Sequence, residues 1–311
     1  MTFATRLKEE ITSNDIDIVE SLIELSSFIR YTGQIKKNSI TLTMENAQVA
    51  RRMYKNIKNN FGVNVKITIR NQKRFRVKQI YILEINEKID DILETLNIVK
   101  EGKKTLPSDF FLETHEEKIA YIKGAFLACG SVNDPSTGEY HLEYTSPQKN
   151  NGQFISKILK EFNITSKILK RANHYMVYIK SAEMISELIR LLGAMNCFFY
   201  YEDIRIYRDH KNMVNRLNNC EIANQEKILK TGMKQLEDII YLQEHDLVGL
   251  LDENVQEAIR YRQSYPETSL QELADIISNE TGRQIGKSGV NHYFIKVKKL
   301  VEKHKEKNKN E

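Results

Sequence analysis

The sequence predicts an α+β fold, a duplicated α/β unit followed by an all-helical module. Two stretches, "ELSSFIRYTGQI" (24–35) and "YIKGAFLACGSV" (121–132), superpose with Gly33 on Gly130 at a spacing of about 97 residues, and the segments after each match in kind. Period-two stretches alternate with helical ones to about residue 200. From about Tyr201 the strand pattern is gone and the apolar spacing is helical.

In the first half, "ELSSFIRYT" is a helix, and "NSITLT" alternates as a strand. "ENAQVARRMYKNIKNNFG" is helical, and "VNVKITIR" puts Val63, Val65, Ile67 and Ile69 on one face with Lys66 and Arg70 on the other. After a turn at "NQKR", "FRVKQIYILEI" returns as a strand and "IDDILETLNIV" closes as a helix. The second half repeats the order with "EYHLEYT", "NGQFISKILKEFN", "ITSKILKR", "HYMVYIK" and "AEMISELIRLLGAM". These assignments place the halves at 1–100 and 101–200. Gly124, Ala125 and Ala128 sit on neighbouring helical positions, and Ser26 and Ser27 occupy the matching region of the first helix. Small side chains there either let two helices approach closely or are incidental to ordinary core helices.

A helical connector is expected over 201–246, through "MVNRLNNCEIANQEKILKTGMKQLEDIIYLQ", and a compact helical module over 247–311. In that module Asp252 caps a first helix, Pro266 separates it from a second, and Ser269 with Glu272 forms a capping box for the second. Ser288 caps a third, with Val290, Phe294, Val297 and Val301 as its buried stripe. That is a helix-turn-helix pattern. "GRQIGKS" (282–288) is no phosphate-cradling loop, because three residues separate its glycines where four are needed and it follows a helix rather than a strand.

Composition limits the function. The 311 residues are 41% hydrophobic, enough for folded cores, and the longest apolar runs, such as "CFFYY", fall far short of the ~20 residues of a membrane span. The opening "MTFATRLKEE" becomes charged at once, unlike a signal peptide. A soluble, cytoplasmic protein without membrane association is expected. Three scattered cysteines and seven scattered histidines offer neither a disulfide framework nor a paired metal motif. The net charge is +5, but six basic residues and no acid lie between Gly62 and Leu83, and the stretch from Lys296 to Glu311 has seven lysines against three glutamates. Two basic surfaces suggest a polyanion partner; a solvated hairpin and a frayed tail are the alternative.

The opening "MTFATRLKEEI", the central "YIKGAFLACGSVNDP", the connector "NRLNNCEIAN" and the closing "SLQELA…KSGVNH" together resemble the WhiA family across nearly the whole chain. The resemblance implies a bipartite domain like the LAGLIDADG homing endonucleases and a C-terminal helix-turn-helix similar to the promoter-reading region of sigma factors. It implies transcription regulation bearing on cell division, chromosome segregation or sporulation, nucleoid association, and, as protein partners, a sigma factor, RNA polymerase or another regulator. In active endonucleases of that fold each paired helix ends in an acid followed by Gly, and the two acids hold a divalent metal. Here Thr32 precedes Gly33 and Cys129 precedes Gly130. Neither supplies the charged oxygen that Mg²⁺ prefers, so no catalytic residue, metal or cofactor is expected. Glu24 and Asp134 are the nearest acids in sequence.

The expected partner is double-stranded DNA, with the helix beginning at Ser288 in the major groove. Asn291 could pair with adenine, Lys287 with guanine or phosphate, and His292 with a base edge or phosphate. Lys296, Arg283 and Arg262 would hold the backbone, and Arg70, Arg74 and Arg76 of the basic hairpin could add to them. Asn291 could instead face solvent, and His292 could pack within the module. Family members commonly carry arginines just after "VNH", where this chain has Tyr293 and Ile295. A metal-dependent endonuclease and a protein-interaction scaffold are the competing functions.

Overall fold

The computed structural model describes residues 1–72, 78–100 and 102–308. They form two compact units, Met1–Arg208 and Asp209–Glu311.

The first unit opens with α1 (Phe3–Ser13) and α2 (Ile18–Thr32), then β1 (Gln34–Lys36), β2 (Ser39–Met44), α3 (Ala47–Phe61), β3 (Val65–Gln72), β4 (Lys78–Ile85) and α4 (Ile89–Thr95). A small hairpin of β5 (Val99–Lys100) and β6 (Lys103–Lys104) leads to the second half. That half contains α5 (His115–Cys129), β7 (Gly130–Val132), β8 (Leu142–Ser146), α6 (Lys149–Glu161), β9 (Lys167–Arg171), β10 (His174–Ile179) and α7 (Ala182–Leu191). The repeat shows in the sheets, ordered β1-β2-β4-β3 and β7-β8-β10-β9, with every neighbouring pair antiparallel.

The halves share one hydrophobic core, and α2 packs against α5 at its centre. Gly124 permits this. A Cβ there would lie 2.2 Å from the Glu24 carbonyl oxygen and 2.9 Å from the Ser27 Cβ, so the two backbones nearly touch. Ser27 Oγ spans the seam by donating to the Tyr121 carbonyl at 2.7 Å, and Tyr31 OH donates across it to Asn151 O at 2.9 Å. The seam therefore combines close packing with satisfied hydroxyls at Ser27 and Tyr31.

Gly33 and Gly130 end these helices for want of space rather than for left-handed geometry. Both have negative φ; a Cβ would meet Ile29 O at 2.4 Å in the first case and the Phe126 ring at 2.3 Å in the second. Each helix can thus run almost straight into a strand.

Two expectations need correction. The closing helices end earlier than their apolar spacing suggests, at Thr95 and Leu191, because Asn97 (φ 55°) and Gly193 (φ 78°) turn left-handed. The apolar face of β3 is also not buried throughout, since Ile67 and Ile69 are about half exposed. β3 is an edge strand, so its side chains have a neighbouring strand on one side only.

α8 (Met195–Glu244) is continuous, and α9 (Glu253–Ser264), α10 (Leu270–Thr281) and α11 (Lys287–Lys307) follow it. The second unit's core joins Ile239 and Leu242 of α8 to Val255, Ala258 and Ile259 of α9, Leu273, Ala274 and Ile277 of α10, and the stripe Val290, Phe294, Val297 and Val301 of α11. The end of α8 is thus part of the helical module rather than a mere lead-in. A fragment of residues 209–311 is accordingly expected to melt cooperatively, whereas residues 252–311, which lack Ile239 and Leu242, should show little helix by circular dichroism. A well-folded 252–311 fragment would contradict this.

Candidate nucleic-acid interface

α10 starts on the expected capping box. Ser269 Oγ accepts from Glu272 N at 3.1 Å, and Ser269 N donates to the Glu272 carboxylate at 2.7 Å. Gly282, at φ 70°, ends the helix, and Ile285 N donates to Ser278 Oγ at 3.1 Å, fastening the turn to α10. α11 then begins at Lys287 with Gly286 as its N-cap and no side-chain cap. Ser288 is therefore inside the helix and not its cap, so Asn291 falls in the second turn.

With the stripe at 290, 294, 297 and 301 buried, the spacing i, i+1, i+4, i+5, i+8 brings Lys287, Ser288, Asn291, His292 and Ile295 onto one exposed face. Lys298 and Lys299 extend it by a turn. Asn291, Ile295 and Lys298 also line a groove of about 550 Å³ whose opposite wall carries Lys227, Lys230 and Lys234 of α8, with Glu226 and Asp238 among them. Sequence reasoning missed those three lysines and Lys298. Their i, i+3, i+7 spacing was a usable signal for a single basic face, but not for what that face would meet.

The backbone-holding residues are placed less uniformly. Lys296 Nζ donates to the Asp252 carboxylate at 2.7 Å, tying α11 to the start of α9 and holding that carboxyl below its ordinary range. Asp252 stands at the N-cap of α9 but makes no side-chain bond to its own helix. Arg283 pairs with Glu257 and Asn254. Arg262 is a correction. It is 1% exposed, and its Nη1 donates to the carbonyls of Thr268 at 2.8 Å and Tyr265 at 3.2 Å. The turn between α9 and α10 leaves those carbonyls without helical donors, and Arg262 supplies one from inside, so it is no surface clamp. Arg70 is exposed on β3, and the strand register puts it with Lys66 and Thr68 on the face opposite Leu83 and Ile85. Arg74 and Arg76 lie outside the described residues.

At the helix tips, Thr32 Oγ1 donates to Phe28 O at 3.0 Å and the Cys129 thiol to Ala125 O at 3.3 Å. Burial pushes the Cys129 thiol up to about 12. The nearby cation is Lys8, whose ammonium donates to Leu127 O at 3.2 Å and whose pKa burial lowers. A lysine beside this tip disfavours a divalent metal. Neither of the acids nearest the tips in sequence is available to replace the missing carboxylates. Glu24 is fully buried and paired through both oxygens with Arg52, at 2.8 and 3.0 Å. Asp134 accepts from Ser136 N at 2.9 Å and Ser136 Oγ at 2.6 Å, closing a turn. Among the described residues, no three His, Cys, Asp or Glu side chains gather as a metal site.

The thiols give a direct check on this environment. Cys220 is exposed on α8, whereas Cys129 and Cys197 both have thiols raised to about 12 by burial. Iodoacetamide at pH 8 is expected to alkylate Cys220 first, with the other two protected until unfolding. Rapid labelling of Cys129 in the folded chain would contradict the closed tip.

Together these features define a class of protein, a duplicated α/β scaffold with Thr32 and Cys129 rather than acids at the tips of its paired helices, followed by a helix-turn-helix. Family models agree along the chain. The WhiA N-terminal LAGLIDADG-like domain matches residues 19–99, the WhiA LAGLIDADG-like domain 118–211, and the WhiA C-terminal HTH domain 214–301. Proteins named "Probable cell division protein WhiA" from Bacillus cereus (strain B4264) and Bacillus cytotoxicus are each 37% identical over 309 residues, 97% of this chain and 97% of theirs. The solved full-length DUF199/WhiA from "Thermatoga maritima" shares the fold with a TM-score of 0.59 at 22% identity, covering 97% of this chain and 99% of that one. The N-terminal LAGLIDADG domain of DUF199/WhiA matches with a TM-score of 0.51 at 23% identity, covering 62% of this chain and 90% of that one. The chain belongs to the WhiA family.

Proposed function

We propose that this chain is a sequence-preferring, DNA-binding transcription regulator, acting in the cytoplasm at the nucleoid on genes of cell division and chromosome segregation. The observation that carries this reading is the face of α11, where Lys287, Ser288, Asn291, His292 and Ile295 are all exposed above a buried apolar stripe. In this reading Asn291 and His292 meet base edges. Lys287, Lys298 and Lys299 meet phosphates, with Lys227, Lys230 and Lys234 of α8 adding charge alongside. Lys296 and Arg283, and likewise Lys298 and Lys230, which pair with Glu302 and Glu226, join the backbone contacts only by exchanging their acidic partners for phosphate, so each contributes less than its charge suggests.

The duplicated domain serves as scaffold, with Arg70 on the exposed face of its first sheet, and Lys66 beside it once released from Glu84, open to a weak, salt-sensitive DNA contact. It performs no strand cleavage, because Thr32 and Cys129 cannot hold the metal that would stabilise transition-state charge. The name borne by the Bacillus relatives supports the assignment to cell division. The test is a titration of fluorescent duplex DNA with the full chain, with and without Mg²⁺ or Mn²⁺. Retention without cleavage is expected. Metal-dependent nicking that co-purifies with the chain would restore the endonuclease reading, and no binding would leave the protein-interaction scaffold.

A further inference from the structure

We propose that His245 and His304 form a two-imidazole site for a borderline divalent cation of the zinc and nickel kind, clasping the end of α8 to the end of α11. His245 follows Glu244, the last residue of α8, and His304 lies in the last turn of α11. No local motif joins them, because they come from separate helices of the second unit. Their ring centroids are nevertheless 5.1 Å apart, with the planes at 70°. Two imidazoles on one tetrahedral ion, each nitrogen at about 2.0–2.1 Å, place their ring centres about 5 Å apart. The pair therefore already has the spacing of a chelate.

Tyr241 orients both rings. His245 Nδ1 lies 2.9 Å from the Tyr241 carbonyl oxygen, which can only accept, so Nδ1 carries the proton and Nε2 keeps its lone pair. His304 Nδ1 lies 3.0 Å from the Tyr241 hydroxyl, which can accept in the same way and leave the second Nε2 basic. The His245 ring also stacks on that of Tyr241, with centroids 4.2 Å apart, which fixes its plane. His245 is exposed and His304 partly so, and neither Nε2 has a hydrogen-bond partner or is sealed from solvent among the described residues. A ring with Nδ1 held and Nε2 free is the usual state of a metal-binding histidine. No third His, Cys, Asp or Glu joins the pair among the described residues, and the charged neighbour is Lys305, 4.5 Å from the Tyr241 ring centroid. Neutral nitrogen donors without a carboxylate suit Zn²⁺, Ni²⁺ or Cu²⁺ and not the oxygen-seeking Mg²⁺. Water completes the coordination, so the ion acts as an exchangeable clasp.

The clasp holds together two helix ends that already share the core of the helical module, through Ile239 and Leu242 on one side and Val297 and Val301 on the other. It does not depend on α11 reading DNA. The experiment is calorimetric titration of Zn²⁺ into the full chain carrying Cys220→Ser, which removes the exposed thiol as a competing ligand. One saturable site is expected for Zn²⁺ and none for Mg²⁺. Tyr241→Phe, which keeps the ring and drops the hydroxyl, should weaken binding about tenfold, as loss of an orienting partner does. His304→Gln should weaken it further, and His210→Gln elsewhere on α8 should not change it. Hydrogen exchange supplies a second readout, since an ion bridging the two rings should slow the amides at the ends of α8 and α11 together, whereas one held by a single surface imidazole would not. Absence of saturable Zn²⁺ binding, equal affinity with and without His304→Gln, or unchanged exchange at both helix ends overturns the proposal.

Discussion

Gly124→Leu is expected to destabilise the N-terminal unit by about 3 kcal/mol or more, at the upper end of what overpacking costs. The new Cβ would begin 2.2 Å from the Glu24 carbonyl oxygen, and backbone cannot rotate away as a side chain can. Relief requires α2 and α5 to separate, breaking the Ser27–Tyr121 and Tyr31–Asn151 hydrogen bonds across the seam. Gly152 on α6 is the contrasting position, because a Cβ there would meet side chains alone, Val177 Cγ2 at 3.3 Å and Tyr175 Cβ at 3.9 Å. Gly152→Ala should leave stability unchanged or raise it by up to about 1 kcal/mol through helix propensity. Hydrogen exchange of the α2 and α5 amides reads both, since it reports local opening in a chain whose two units need not unfold together. Equal protection in Gly124→Leu and the wild type would refute the close-packed seam.

The second large effect is at Glu24. Glu24→Ala should cost about 3–5 kcal/mol, because it leaves the guanidinium of Arg52, 8% exposed, without its bidentate partner. Arg52 also donates to the Asn14 carbonyl, so its loss of position would loosen the link between α1 and α2. Replacing both residues by leucine should recover most of the loss, as an apolar pair needs no counter-charge. A denaturation series on the wild type, Glu24→Leu, Arg52→Leu and the double leucine variant measures the coupling, with Glu24→Ala alongside. Full stability in Glu24→Ala would mean that the ion pair does not hold this region.

The same residues show what a sequence discloses. The repeat was legible because small residues, alternating strands and amphipathic helices recur at one spacing, and local rules act on each of them. The capping box at Ser269 and Glu272 and the stripe from Val290 to Val301 were legible for the same reason. Tertiary placement was not. Arg262 has the composition of a surface cation, and only the turn it lies beneath makes it internal. Ser288 is a good cap by type, but Gly286 occupies that position and Ile285 is fastened to α10 before the helix begins. Lys8 belongs to the first helix and Cys129 to the fifth; nothing local in either segment announces their meeting. The lysine-lined groove likewise depends on where α8 passes α11.

In the proposed function the outward face of α11 reads DNA. The most direct test of this is a fluorescence-anisotropy salt series on a duplex selected from genomic fragments and on a scrambled one, with wild type and Asn291→Ala. Asn291→Ala is expected to lose about 1–3 kcal/mol on the selected duplex and little on the scrambled one, with an unchanged salt slope. Lys299→Ala in the same series should weaken both alike and lower the slope by about one, as one fewer counterion is released. Equal losses on both duplexes for Asn291→Ala would contradict the claim, and the reader would have to be sought elsewhere, on α10 or on the basic face of β3.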